Sequence, residues 1–438
     1  MTSGAALRRT LIAGVALVLL GFPAAAGAHA YLESSVPGPE SVLGAPPHEL
    51  RLVYDEDVVP RYAKVAVLTP GGQDLAGPPS VVGHVVIVPL RAGRAGSYTV
   101  RWQMVASDDG HVTEGVWTFG VRAKALAPAP ARGVSVPVAP QLLAWLEFLG
   151  VILAGGTLTF RALVLAPAAR ASREADAPDA RLAIWAGVIG ATVALHAGLF
   201  GFLVGAYPIV GGGGLVNFTH ALILPIRTGT HLGQAWTLMT FAWLAVLALL
   251  VGAWVTPRRR EPLLMIAGLL SLGIAFGISW ASHPASRGTL ALVADFAHLV
   301  AAALWLGALV ALVILAGVVR PLPRAAREAV VRASLLRFSR LAVPTVVVLA
   351  LGGLYVALRE LPAVSSLVTS GYGITLLAKS AVAVGALMIG AYHHRSVVPR
   401  IVAGAPVATI RRTLTIEVGL LFAAVALAAV LSQTAPPG

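Results

Sequence analysis

A histidine stands at position 29, directly after Ala26-Gly27-Ala28. Upstream of it, Arg8 and Arg9 precede an apolar run from Leu11 to Phe22, and the Ala-x-Ala site completes the pattern of a secretory signal. Cleavage after Ala28 makes His29 the mature N-terminus. Such a histidine offers its free α-amine and its ring Nδ1 together, a chelate that no internal histidine forms. Cleavage after Ala30 satisfies the same small-residue rule and removes His29. More donors follow at Ser107-Asp108-Asp109-Gly110-His111. Asp109 and His111 are two apart, so on an extended backbone both project to one side, and Gly110 lets the chain turn tightly about an ion. An amine nitrogen, two imidazoles and a carboxylate suit tetragonal Cu(II). Asp-Gly is also a common turn, and His111 also reads as a surface polar residue.

The rest of the composition narrows the chemistry. The chain has 438 residues, of which 57% are hydrophobic and 12% charged, a membrane-protein balance. Its net charge is +13, yet residues 29–122 hold 7 basic and 10 acidic side chains. The basic excess therefore lies in the membrane half, which argues against nucleic acid as a partner. With no cysteine and five scattered methionines, soft ligands are scarce. Imidazole and carboxylate favour Cu(II) or Zn(II) over Cu(I). No Walker A motif is present, so no nucleotide is expected.

These donors need elements to position them. Leu50–Tyr54, Ala63–Leu68, Val85–Leu90, Ser97–Met104 and Gly115–Arg122 have strand composition, separated by turns such as Pro70-Gly71-Gly72. They predict an all-β domain over 29–122, a two-sheet sandwich or a Greek-key barrel, with Trp102 and Trp117 in its core and His48 and His84 on its surface. Residues 123–140 form an Ala/Pro-rich linker. Eight apolar helices follow within 141–432, at roughly 139–167, 181–207, 232–255, 261–281, 289–318, 335–358, 373–394 and 410–432, each long enough to cross a bilayer. Residues 433–438 are a short tail. If the β domain is exported, the loops assigned inside hold 16 arginines and those assigned outside hold Arg227, Arg287 and Arg359. That bias fits a multi-pass protein of the cytoplasmic membrane with its β domain and C-terminus outside.

Ionisable groups within apolar helices are costly and are candidate functional sites by default. Here they are Glu147, Arg161, His196, Asp295, His298, Lys379 and Glu417. Asp295 and His298 are three apart and share a helix face, with His283 just beyond the preceding helix on the same side. At a rise of about 1.5 Å per residue, His298, Glu147 and His196 lie about 12 to 16 Å below the outer boundary. Arg161, Lys379 and Glu417 also read as structural ion pairs. Trp305 reads as packing, and His220 and His231 as residues on the outer loop or helix edge; His393 and His394, near the inner face, read as helix-end residues or as receivers of exiting metal.

The sequence resembles a known family. His29-Ala-Tyr-Leu-Glu-Ser-Ser-Val-Pro is similar to the opening of the CopC copper-binding proteins. Ser107-Asp108-Asp109-Gly110-His111, with Gly115 and Phe119, is similar to their closing signature. The resemblance implies an all-β Ig-like Greek-key sandwich, with His29, Asp109 and His111 as Cu(II) ligands. Met104 is the one methionine of this domain, so the methionine-rich Cu(I) site of some members is not expected. The membrane half resembles the CopD family through Ser282-His283-Pro284, Asp295, His298, Ala302, Trp305, Gly307, Leu309, the Arg337-Phe338-Ser339 loop and Lys379. The fusion implies copper acquisition and no enzymatic activity. Cu(II) is captured outside and copper passes inward through a site expected at His283, Asp295 and His298, with Glu147 and His196 as further donors. The implied partners are copper ions and the bilayer, with a copper chaperone or a reductant as further candidates. Two other functions fit the residues: a b-type haem held by His196 and His298 for electron transfer, and copper delivery to an extracytoplasmic cuproenzyme. A copper-oxygenase reading suits less well, because Asp109 occupies a position that oxygen needs.

Overall fold

The computed structural model describes residues 32–107, 112–126, 138–171, 180–210, 227–228, 230–319, 323–406 and 410–434. His29, Asp109, His111 and His220 lie outside these residues, as do the signal segment and most of the linker.

Eight strands build the N-terminal domain: β1 Leu32–Val36, β2 Val42–Leu43, β3 Glu49–Tyr54, β4 Lys64–Leu68, β5 Ser80–Val82, β6 Val85–Pro89, β7 Gly96–Val105 and β8 Val112–Val121. They form two four-stranded sheets, ordered β1-β3-β6-β5 and β2-β8-β7-β4. Alternation explains the faces. In β3, Leu50, Leu52 and Tyr54 are buried while Glu49 and Arg51 are exposed. These residues meet Val86 and Val88 of their own sheet and Val67, Val100 and Phe119 of the other in one core, which makes the domain a sandwich. β1, β2 and β5 were not among the expected strands. They are short or polar elements at sheet edges, where one row of backbone groups and little apolar surface leave no alternation to read.

Among the described residues, eight helices are long and apolar enough to cross a membrane: α1 Val138–Ala171, α2 Arg181–Gly205, α3 His231–Val255, α4 Pro257–Trp280, α5 Thr289–Leu315, α6 Ala325–Glu360, α7 Gly371–Val402 and α8 Arg412–Ser432. The first is the central one, with 72% of its most apolar window buried, against 6% for α6. It packs through small residues. A Cβ on Gly307 of α5 would stand 2.5 Å from Gly156 Cα of α1, and one on Gly190 of α2 would stand 2.9 Å from the Gly150 carbonyl. Such contacts let backbones approach where burial of apolar surface drives nothing in lipid. Two π-helical turns, Ile152–Gly156 and Arg161–Leu165, interrupt α1.

The sandwich is seated on the membrane domain. Val59, Tyr62 and Val105 form one buried cluster with Phe202 of α2, flanked by Val112, Leu232 and Trp236. Phe202 and Trp236 stack at 4.4 Å. The His231 N–H, at the start of α3, donates to the Ser107 carbonyl at 3.2 Å. The two residues that bracket the 108–111 segment, Ser107 and Val112, therefore both lie at this junction.

Candidate metal centre

His298 on α5 is held across the bundle by its ring. Its Nδ1 lies 2.7 Å from the Leu349 carbonyl oxygen of α6. A carbonyl only accepts, so Nδ1 carries the hydrogen, and in the neutral ring the Nε2 lone pair is left for a ligand. Metal-binding histidines are commonly oriented in this way. Gly352 and Gly353 make the contact possible: a Cβ on Gly353 would stand 2.7 Å from His298 Cε1.

Asp295 lies one turn before His298. Ser279 of α4 and Lys379 of α7 are close enough to act on its carboxyl, although the buried Ser279 hydroxyl lacks the alignment of a full hydrogen bond. Further polar groups gather at the same end of the bundle. Glu360 closes α6 and is 2% exposed, with Arg287 Nε 3.7 Å from its Oε2. Asp295, Glu360 and the buried Tyr372 are near enough to feel one another's charge. Sequence reasoning missed Glu360, Tyr372 and Ser279. Glu360 falls two residues beyond the expected end of its helix, and the other two carry no charge to mark them.

The other expected donors are distributed differently. His283 is buried at the start of the short helix His283–Ser286. Glu147 lies against α2, where a Cβ on Gly198 would be 3.4 Å from its Oε1. His196 is exposed, with Nδ1 2.8 Å from the Thr192 carbonyl of its own helix. Among the described residues, no three His, Asp or Glu side chains are gathered so as to hold a metal ion. What the structure joins is a pair, Asp295 and His298, within a wider polar cluster.

Arg161 and Glu417 each lie against another ionisable side chain. Arg161, 4% exposed, is 2.6 Å from Glu261. Glu417 of α8 is 2.9 Å from His393 of α7. Trp305 is buried in the helical core. His231, besides its backbone bond to Ser107, sets its ring 5.6 Å from that of Trp280.

In the β domain, Gly115 and Phe119 have packing roles. Gly115 pairs with Trp102 across β7 and β8, and a Cβ there would stand 2.6 Å from the indole. That indole packs edge-on against Tyr54 at 5.3 Å, whose hydroxyl burial pushes above the usual phenol range. Phe119 stacks on Tyr98 at 5.3 Å. Met104 is fully buried in the core, while His48 and His84 are exposed.

Comparison with known proteins agrees with both halves. The CopC domain model matches residues 32–122, and the copper resistance protein D (CopD) model matches residues 332–431. Copper resistance protein C of Escherichia coli is 31% identical over 116 residues, which span 24% of this chain and 90% of that protein. The chain belongs to the copper resistance family, as a CopC–CopD fusion. Copper transport protein CutJ of Bacillus subtilis (strain 168) is 24% identical over 412 residues, covering 86% of this chain and 70% of that protein. The CopC crystal structure from Methylosinus trichosporium OB3b is 24% identical, covering 21% of this chain and 93% of that one, with a TM-score of 0.21. The CopC–CopD chain is thus a multi-pass membrane protein of a family that handles copper.

Proposed function

We propose that this CopC–CopD chain acquires copper. The CopC domain captures Cu(II) on the outer side through His29, Asp109 and His111, and the CopD domain passes copper inward by way of Asp295 and His298. Glu147, His196 and His283 are lesser candidates along the same route.

One observation carries this reading. The residues that bracket the Asp109–His111 segment rest on neighbouring ends of α2 and α3, with Ser107 hydrogen-bonded to His231 at 3.2 Å. A metal held there starts at the membrane domain and needs no diffusing carrier. From His231 the aromatic rings of Trp280, Phe276 and Phe296 lead toward α5, one residue from Asp295. The arginine bias of the loops supports the outer placement of the CopC domain, and the similarity to the copper transport protein CutJ supports transport. Without a nucleotide-binding motif, movement is passive or driven by a gradient.

N-terminal sequencing of the mature protein, joined to a Cu(II) titration of wild type and His29→Ala, tests the capture step. A mature terminus at His29 and a loss of tight Cu(II) binding in the variant support it. A terminus at Tyr31 contradicts it.

A further inference from the structure

At the end of the bundle away from the CopC domain, α7 contains the π-helical turn His393–Val397. π turns are frequent at functional sites. Here His393, His394 and Ser339 face a cavity of about 370 Å³ together with Glu417 of α8. The remaining walls are mostly apolar residues of α5, α6 and α7.

The hydrogen bonds around His393 fix where its lone pair points. Its Nε2 lies 2.7 Å from the Thr413 hydroxyl, and that hydroxyl donates its one proton to the Ile410 carbonyl at 3.1 Å. The hydroxyl must then accept from the ring, so Nε2 carries the hydrogen. The lone pair of the neutral ring is then on Nδ1, and Glu417 Oε2 is 2.9 Å from that atom. This contact is off the axis of a hydrogen bond, and Oε2 has no other hydrogen-bond partner. The two side chains are only 8% and 1% exposed. Two buried lone pairs at this separation repel unless a proton or a metal ion lies between them.

The separation suits a metal ion. Bonds of about 2.0 to 2.1 Å to an imidazole nitrogen and a carboxylate oxygen, set at a right angle, place the donors about 2.9 Å apart. Gly390 clears the space, since a Cβ there would stand 3.0 Å from Glu417 Oε1. The Thr413 hydroxyl supplies the outer hydrogen bond that orients a metal-binding imidazole.

We propose that His393 Nδ1 and Glu417 Oε2 form a second metal site, at the inner end of the CopD domain, which takes a copper ion in transit. The proposal rests on the copper-transport reading and extends it to the exit. Two protein ligands, completed by water from the cavity, hold an ion weakly enough for it to leave. His394, whose Nδ1 is 2.7 Å from the Ser339 hydroxyl, lines the same cavity and is a donor for the departing ion.

The test is equilibrium dialysis of the full-length protein in detergent against Cu(II), the ion that an imidazole and a carboxylate at a right angle favour. His393→Asn and Glu417→Gln are each expected to bind one copper ion fewer per chain than wild type. Thr413→Val keeps both ligands and is expected to bind that ion about 10- to 100-fold more weakly. This variant decides the matter if the other two do not fold. Copper on the wild type that all three variants retain with equal affinity overturns this site alone, and the pair then holds a proton. A wild type that binds no copper at all overturns the copper reading and this site with it.

Discussion

His298 and Leu349 are joined across α5 and α6 by a hydrogen bond of 2.7 Å from imidazole Nδ1 to carbonyl oxygen. One contact sets both the tautomer and the direction of the ring. It depends on the absence of a side chain at Gly353, which lies directly beside the imidazole. The proposed copper site at His298 would thus depend on a residue that carries no ligand atom.

Gly353→Ala tests that dependence. The new methyl group would stand 2.7 Å from Cε1, so the ring must shift out of its bond. Copper uptake is expected to fall by about tenfold or more, the usual scale for a lost orienting contact at a metal site. Expression and helix content, followed by circular dichroism, should change little.

Gly115→Val addresses the CopC domain. The added side chain collides with the Trp102 indole, which packs on Tyr54. Overpacking of this kind costs about 1–3 kcal/mol. A lower melting temperature of the domain, read by tryptophan fluorescence, is the expected outcome.

The junction between the domains is tested by Trp236→Ala. This removes the ring stacked on Phe202 at 4.4 Å, a truncation that costs about 3–5 kcal/mol in a well-packed core. Cu(II) binding by the CopC domain should persist, while copper accumulation at limiting copper should drop and the segment between the domains should become easier to cleave with protease. Unchanged accumulation would show that the domains need not stay docked.

The Arg161–Glu261 pair predicts a purely structural effect. Glu261→Gln leaves a guanidinium that is 4% exposed without its charge partner. Breaking a fully buried pair costs about 3–5 kcal/mol. Glu261 itself is 45% exposed, so water compensates in part and the loss falls below that range. Thermal stability should decline while copper uptake per folded molecule is unchanged.

Much of this architecture was legible in the sequence because apolar length is a strong constraint in a bilayer. A helix expected over 232–255 runs from His231 to Val255. One expected over 335–358 runs from Ala325 to Glu360. Its first turns carry Arg327 and Arg332 and lie outside the apolar stretch, so hydropathy alone did not mark them. The longer helix brings Glu360 into the cluster with Arg287, which a helix ending at 358 did not suggest. Pairings between distant helices were the least visible. Glu261 answers Arg161 across 100 residues, and Leu349 meets His298 through a backbone oxygen that has no sequence signature. In the sandwich, the interior strands showed alternation and the edge strands did not. Nothing in the spacing of His393 and Glu417 announced their contact, because a π turn and a neighbouring helix create it.

The account stands or falls on whether copper passes through the CopD domain at His298. The direct measurement is copper accumulation by cells expressing wild type or His298→Gln at equal membrane levels. A glutamine there keeps much of the size of the ring but does not supply the imidazole lone pair. The account predicts a loss of accumulation to the level of cells without the protein, with Cu(II) capture by the CopC domain intact. Wild-type accumulation in the His298→Gln variant would contradict it.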